Sequence, residues 1–234
     1  MRRRDVLVIF ARYPAPGVVK TRLARTIGDG AAAALYGAFL ADLARRFGRA
    51  RMPVRWLVAP PDPGLAALLG LRPASCREQS GENLGARMHE AFRSLHAAGW
   101  RRVAIIGSDS PQIPVATVER AFALLASADL VLGPAEDGGY YLIAMQEPHD
   151  VFAGIEWGSR SVLRATRARA RRLGLGIAEL EPSFDVDRKA DLERLRKLVQ
   201  TPGGRAAMPT TARVLDSLRT RPPRPVRRRG TPCR

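Results

Sequence analysis

The stretch Val103-Ala104-Ile105-Ile106-Gly107 is apolar and β-branched, and it stops abruptly in a small polar turn, Ser108-Asp109-Ser110-Pro111. A run of this kind suits a strand buried on both faces of a parallel sheet. In an open α/β sheet, ligands bind in the crevice outside the carboxyl ends of the strands. The stretch therefore predicts a fold class and also a place for chemistry. A carboxylate at that position, Asp109, is well placed to hold a metal ion and, through it, a phosphate.

Other segments repeat the pattern at intervals. Residues 5–11, 54–59, 129–133, 140–145 and 176–180 also read as strands. Between them, residues 31–49 carry Leu35, Phe39, Leu43 and Phe47 at helical spacing, and 63–69, 82–98, 115–126, 161–173 and 189–199 read as helices. This alternation predicts a three-layer α/β/α, Rossmann-like architecture around a mostly parallel sheet. Only six residues separate the strands at 129–133 and 140–145. That gap is too short for a helical crossover, so one antiparallel strand or hairpin is expected and the sheet is mixed.

The chain has 234 residues, 46% of them hydrophobic, which suits one domain with a sizeable core. No apolar run reaches membrane-spanning length, and the short apolar segment after Met1-Arg2-Arg3-Arg4 reads as a first strand and not as a signal peptide. Cys76 and Cys233 have no metal-ligand spacing, and a chain without a disulfide framework fits the cytoplasm. The net charge of +17 suggests a nucleic-acid partner until its distribution is considered. Residues 201–234 carry nine Arg and one Asp, and Arg2, Arg3 and Arg4 add three more charges, leaving about +6 on residues 5–200. No specific nucleic-acid partner is expected, and the moderately basic body suits a phosphate-bearing substrate. Residues 1–200 are expected to form the domain and 201–234 a Pro/Arg-rich, disordered tail, although 208–218 could form a short helix.

Four further segments fall at the ends of these elements. Tyr13-Pro14-Ala15-Pro16-Gly17 shapes a loop after the first strand, and Lys20 and Arg22 open the helix that follows. Backbone N–H groups at a helix start favour anions, and Lys and Arg add a point charge and a bidentate fork for phosphate oxygens. Pro16, Gly17, Lys20 and Arg22 are therefore candidate phosphate contacts, although a Pro-rich turn followed by two solvated cations explains the residues equally well. Gln79-Ser80-Gly81 precedes a helix that Ser80 or Gly81 could cap. Gln79 and Gly81, with Ser108, are candidate nucleotide contacts. Glu136-Asp137-Gly138-Gly139 is a tight turn between strands, or a close backbone approach to a substrate. Asp185 and Asp187 lie two residues apart on an extended segment and so point to one side. They could complete a Mg²⁺ or Mn²⁺ site with Asp109, or Asp187 could simply cap the last helix.

Taken in order, these segments resemble a bacterial domain-of-unknown-function family of glycosyltransferase-A-like proteins. Its members are described as radical-SAM/selenodomain-associated transferases or arsenosugar-biosynthesis glycosyltransferases. The matching runs are Phe10-Ala11-Arg12-Tyr13-Pro14, Pro16-Gly17-Val18-Val19-Lys20-Thr21-Arg22-Leu23, Gly107-Ser108-Asp109-Ser110-Pro111, Leu132-Gly133-Pro134-Ala135-Glu136-Asp137-Gly138-Gly139-Tyr140-Tyr141-Leu142-Ile143 and Phe184-Asp185-Val186-Asp187. The resemblance implies the nucleotide-diphospho-sugar transferase fold, which also hosts guanylyltransferases. By the same resemblance, Lys20 and Arg22 meet nucleotide phosphates, Asp109 is a metal ligand and Asp187 the distal one. This chain departs from the family at Arg188-Lys189 and at Trp157-Gly158-Ser159.

The expected function is a metal-dependent transferase that takes a nucleotide or nucleotide-sugar donor and a small-molecule acceptor. Glycosyl transfer leads and nucleotidyl transfer is the alternative. A nucleic-acid-binding protein acting through its basic tail comes third. Asp109, Asp137 and Lys20 are the expected catalytic residues. Asp137, Gly138, Gly139 and Trp157 are the expected acceptor contacts.

Overall fold

A computed structural model describes residues 3–220 of the chain. Seven strands form one sheet: β1 (Arg3–Ala11), β2 (Val54–Val58), β3 (Cys76–Glu78), β4 (Trp100–Gly107), β5 (Leu130–Pro134), β6 (Tyr140–Met145) and β7 (Ile177–Glu179). Their order is β3-β2-β1-β4-β6-β5-β7. Only β6 runs against its neighbours, β4 and β5, and every other pairing is parallel. The gap between β5 and β6, five residues with these bounds, is thus a hairpin, because so few residues cannot carry a crossover back to a parallel position.

The central strands are apolar on both faces and divide two cores by alternation. Leu7 and Ile9 of β1, Ala104 and Ile106 of β4, and Leu142 and Ala144 of β6 enter one core. Val6 and Val8, Val103 and Ile105, and Ile143 and Met145 enter the other. Helix α2 (Asp29–Phe47) supplies Leu35, Phe39, Leu43 and Phe47 to the first core. Helices α5 (Val115–Leu124) and α7 (Lys189–Gln200) join it there. Helices α4 (Leu84–Ala97) and α6 (Val162–Arg172) cover the opposite face. The result is the expected three-layer α/β/α arrangement.

Two expectations need correction. First, the chain does not leave the fold at residue 200. Helices α8 (Pro202–Ala207) and α9 (Pro209–Thr220) follow, and Met208, Ala212 and Leu215 are buried in the first core. Their anchor is Asp42 of α2, which is fully buried. Its carboxylate accepts the backbone N–H groups of Thr210 and Thr211 at 3.0 and 2.8 Å and so caps α9. The rest of the expected disordered tail, 221–234, lies outside the described residues. Second, α4 is capped by Asn83 and not by Ser80 or Gly81: the Asn83 side chain accepts the N–H of Ala86 at 3.0 Å. Strand β3 and helix α1 (Thr21–Ile27) complete the elements that shape the site.

Strands β1 and β4 are neighbours at the centre, with Phe10 opposite Gly107. After β1 the chain proceeds outward to β2 and β3, and after β4 it proceeds to the other side. The carboxyl ends of β1 and β4 therefore flank the point where the winding reverses, which is where an open α/β sheet opens a crevice.

Candidate active site

The loop leaving β1 and the loop leaving β4 meet at Lys20. Its Nζ lies 2.6 Å from Asp109 Oδ1 and 3.0 Å from Asp187 Oδ1, and the side chain is 3% exposed. Burial alone would lower the ammonium's pKa. Asp109 and Asp187 outweigh that effect, and the pKa stands above the ordinary lysine value. Lys20 is thus a fixed cation at any physiological pH. Its backbone is left-handed, with φ 51° and ψ 38°, a conformation costly for a residue with a Cβ. The two carboxylates and the rings of Tyr36 and Phe39, whose centroids lie 5.9 and 6.0 Å from Nζ, surround it there.

Asp109 does not cap a turn, as its small polar setting would also have allowed; its carboxylate faces Lys20. The loop that carries it is zipped to residues 183–187. Val186 donates its N–H to the Asp109 carbonyl at 3.0 Å, and Gln112 Nε2 donates to the Phe184 carbonyl at 2.6 Å. The buried Ser110 hydroxyl donates to the Asp185 carboxylate. These bonds place Asp109, Asp185 and Asp187 around one cavity. Asp187 is not the helix cap: its own N–H and that of Arg188 donate to Asp191 at 3.1 and 2.7 Å. Arg22 stands 3.8 Å from Asp187 Oδ2 on the solvent side.

Asp185 feels this crowding most. Burial first, and then the charge of Asp109, push its carboxyl up to about 6 from an ordinary 3.8. A carboxyl raised in the folded state holds its proton more tightly there than in the unfolded chain. The metal-free protein should therefore lose stability as the pH rises from about 4 to about 6. Asp185→Asn should flatten that decline, as read by thermal melts in chelator on either side of the window. An unchanged slope would show that another group titrates.

Among the described residues there is no closed cage of three or more acidic, histidine or cysteine ligands. The donor set still fits Mg²⁺ or Mn²⁺, which take one or two carboxylates and fill the rest of their shell with phosphate oxygens and water. Asp109, Asp137, Asp185 and Asp187 line the cavity, and burial, with the charge of Asp109 added to it, raises the carboxyl of Asp185. A divalent cation would relieve that repulsion.

The cavity, of about 630 Å³, lies over β4 and β6. Arg22, Asp109, Asp137, Gly139, Trp157, Asp185 and Asp187 line it, whereas Pro16, Gly17, Lys20, Gln79, Gly81, Ser108 and Gly138 do not. Pro16 and Gly17 follow β1, and Gln79 and Gly81 follow β3, so these residues flank the other half of the crevice. Two of the sequence candidates have structural partners. Ser108 is buried, and its hydroxyl shares a 2.7 Å hydrogen bond with Tyr36, whose phenol accepts the N–H of Arg12. Burial and the Asp109 charge push that phenol up to about 12, so it stays neutral. Gln79 Nε2 donates to the Leu57 carbonyl at 2.8 Å, which leaves its oxygen as the free end of the amide. Gly81 is required by its φ of +135° and by the backbone of Ala86 and Arg87, which a Cβ would meet. Sequence reasoning missed Tyr36, Ser110 and Gln112, which look like ordinary core and turn residues until the loops are folded together.

At the turn between β5 and β6, Asp137 accepts the N–H of Gly139 at 2.9 Å and remains exposed. Gly138 has φ +96°, and a Cβ there would fall 2.1 Å from the Arg160 carbonyl, so the turn and the 157–161 loop are locked together. Trp157 packs over Gly85 of α4, where an added Cβ would come within 2.4 Å of the indole. Gly85→Ala should therefore displace Trp157, shift the protein's tryptophan fluorescence and weaken acceptor binding about tenfold. A variant with unaltered fluorescence and unaltered acceptor KM would contradict that packing.

Comparison with known proteins agrees with this fold. A protein from Desulfovibrio desulfuricans G20, described as a candidate nucleotide-diphospho-sugar transferase, superposes with a TM-score of 0.85 at 34% identity, covering 92% of this chain and 96% of that one. A cytidylyltransferase from Leptospira borgpetersenii serovar Hardjo-bovis (strain JB197) superposes with a TM-score of 0.56 at 11% identity, over 93% and 95% of the two chains, a likeness of fold alone. In sequence, a phosphoenolpyruvate guanylyltransferase from Chloroflexus aggregans (strain MD-66 / DSM 9485) is 31% identical over 150 residues, which is 62% of this chain and 71% of that protein. The fold is that of the nucleotide-diphospho-sugar transferases, and the protein is an enzyme of the transferase class, similar to nucleotide-sugar transferases and nucleotidyltransferases. Residues 43–159 match the family described as "Uncharacterized protein conserved in bacteria (DUF2064)", and the chain belongs to that family.

Proposed function

We propose that the protein is a metal-dependent nucleotidyltransferase that joins a nucleoside monophosphate unit to a phosphorylated small-molecule acceptor. The observation that carries this reading is the buried Lys20 ammonium, held between Asp109 and Asp187 where the two halves of the crevice meet. In nucleotidyl transfer the reacting atom is the α-phosphorus, and negative charge accumulates on its oxygens as bond making and breaking proceed. A desolvated, permanently charged cation at the junction answers that need. The β1 side of the crevice would receive the nucleotide, with Pro16, Gly17, Arg22, Gln79 and Gly81 as its contacts. The acceptor would occupy the cavity beside Asp137, Gly138, Gly139 and Trp157.

In this scheme an oxygen of the acceptor phosphate attacks the α-phosphorus, the bond from that phosphorus to the bridging oxygen breaks, and pyrophosphate leaves. Lys20 holds charge against the α-phosphate, and Arg22, on the solvent side of Asp187, reaches the departing phosphates. Bound Mg²⁺ or Mn²⁺, held by Asp109 and Asp187 with Asp185 beside them, would neutralise phosphate charge and orient the donor. No proton need leave an ionised acceptor phosphate, so Asp137 positions the acceptor here instead of acting as a base.

Glycosyl transfer keeps one specific support, the exposed Asp137 carboxylate in the acceptor half, which could take a proton from an acceptor hydroxyl. The named relative in Chloroflexus tips the balance toward nucleotidyl transfer. The products separate the two readings. Nucleoside triphosphates with a phosphorylated acceptor and Mg²⁺ should yield pyrophosphate. Release of a nucleoside diphosphate from nucleotide sugars, with no pyrophosphate from triphosphates, would overturn the proposal.

A further inference from the structure

The acceptor cavity is larger and more apolar than a phosphate and a metal ion require. Phe10, Leu84, Met88 and Trp157 line one side of it, and Leu84 is 45% exposed at the start of α4. An apolar wall of this extent is suited to an apolar group on a ligand. On the rim stands Arg160. Three arginines of α6 and α7 are paired: Arg167 with Glu179, Arg169 with Asp150 and Arg194 with Glu136. Arg160 is exposed and forms no ion pair among the described residues. Its backbone is nonetheless fixed, because its carbonyl packs on Gly138 and the N–H of Leu163 donates to the Gly138 carbonyl at 2.9 Å. An unpaired guanidinium on an anchored loop that lines the cavity is a fork awaiting an anion.

We infer that the acceptor is an amphipathic anion. Its phosphate lies at the Asp109 end, an apolar or aromatic body lies against Trp157 and Met88, and a second anionic group is met by Arg160. The assignment of the phosphate rests on the nucleotidyl-transfer reading. The apolar wall and Arg160 make Arg160 a specificity residue that selects a larger acid over a three-carbon one.

Calorimetric titration in the presence of Mg²⁺ tests this on the full chain, with three probes and no donor. Phosphoenolpyruvate has a carboxylate but no apolar body, phenyl phosphate has the body without the carboxylate, and 4-carboxyphenyl phosphate has both. The last should bind at least about tenfold more tightly than either of the others. Arg160→Ala should erase its advantage over phenyl phosphate, Arg160→Lys should restore part of it, and Trp157→Ala should erase its advantage over phosphoenolpyruvate. Circular dichroism checks that the variants are folded. Phosphoenolpyruvate binding as tightly as the aromatic acid, equal weakening of all three probes by Arg160→Ala, or no binding of any probe would each overturn the inference. The titration needs no turnover, so absence of pyrophosphate in a separate assay would strike the reaction type and leave acceptor recognition standing.

Discussion

Asp109→Asn should lower kcat/KM by about 10³-fold while leaving the fold intact. The carboxylate is 46% exposed, so its bond to Lys20 contributes little to stability after solvent screening. What the amide removes is a negative charge at the meeting point of both halves of the crevice. A divalent ion would lose one of its two main anionic contacts, and Lys20 would lose the nearer of the two carboxylates that hold it in place. The melting temperature should stay within about 5 °C of wild type, and circular dichroism should be unchanged. Adding excess Mn²⁺ should recover part of the activity by mass action. Undiminished turnover in Asp109→Asn would remove the carboxylate from the account altogether.

Asp42→Ala should destabilise the protein by about 3 kcal/mol, a drop of roughly 6–12 °C in melting temperature for a chain of this size. Two buried N–H groups, those of Thr210 and Thr211, would lose their acceptor at the start of α9. Ending the chain after Gln200 should cost more, on the order of 5 kcal/mol, because it takes Met208, Ala212 and Leu215 out of the first core. Activity should fall as well. Arg46 Nη1 donates to the carbonyls of Pro111 and Ile113 at 2.6 and 2.8 Å, and its Nη2 donates to the Ala207 carbonyl at 2.8 Å. The same side chain therefore ties α8 to the loop that carries Asp109. A chain ending at 200 that melts and turns over like wild type would show that these helices are an appendage.

The boundary at 200 illustrates what the sequence hides. Its Pro, Gly and Arg content resembles that of disordered tails, yet Thr201-Pro202 is a cap followed by a proline in the first helical turn, and Met208, Ala212 and Leu215 recur at helical spacing. The missing clue is three-dimensional: Asp42 sits among Phe39, Leu40 and Leu43 on the buried side of α2, and nothing local says that it caps a helix about 170 residues away. Strand β3 was illegible for another reason. Cys76-Arg77-Glu78 is a three-residue edge strand with little burial, so it has no apolar pattern to read. The buried central strands and the hairpin were legible, because their composition and spacing admit few alternatives.

The site divides in the same way. Asp109, Asp187 and Lys20 stood out because strand ends and a proline-glycine loop mark them locally, and the fold brings the three together within 3.0 Å contacts. Ser108 and Gln79 stood beside them with equal claim. Only packing against Tyr36 and against the Leu57 carbonyl shows how much of each is committed to the scaffold. Arg160 carried no signal at all, since an isolated arginine on a loop in an arginine-rich chain is unremarkable until the fold sets it in the lining of the cavity.

The fate of the α-phosphate tests the central claim most directly. The protein is incubated with Mg²⁺, a phosphorylated acceptor and a nucleoside triphosphate labelled at the α-phosphate. The label should pass into the acceptor product in step with pyrophosphate release, and both should disappear in Asp109→Asn and in Lys20→Met. If the label never joins an acceptor, while α-phosphate-labelled nucleotide sugars instead give labelled nucleoside diphosphate, the enzyme transfers the sugar and the nucleotidyl-transfer account is wrong.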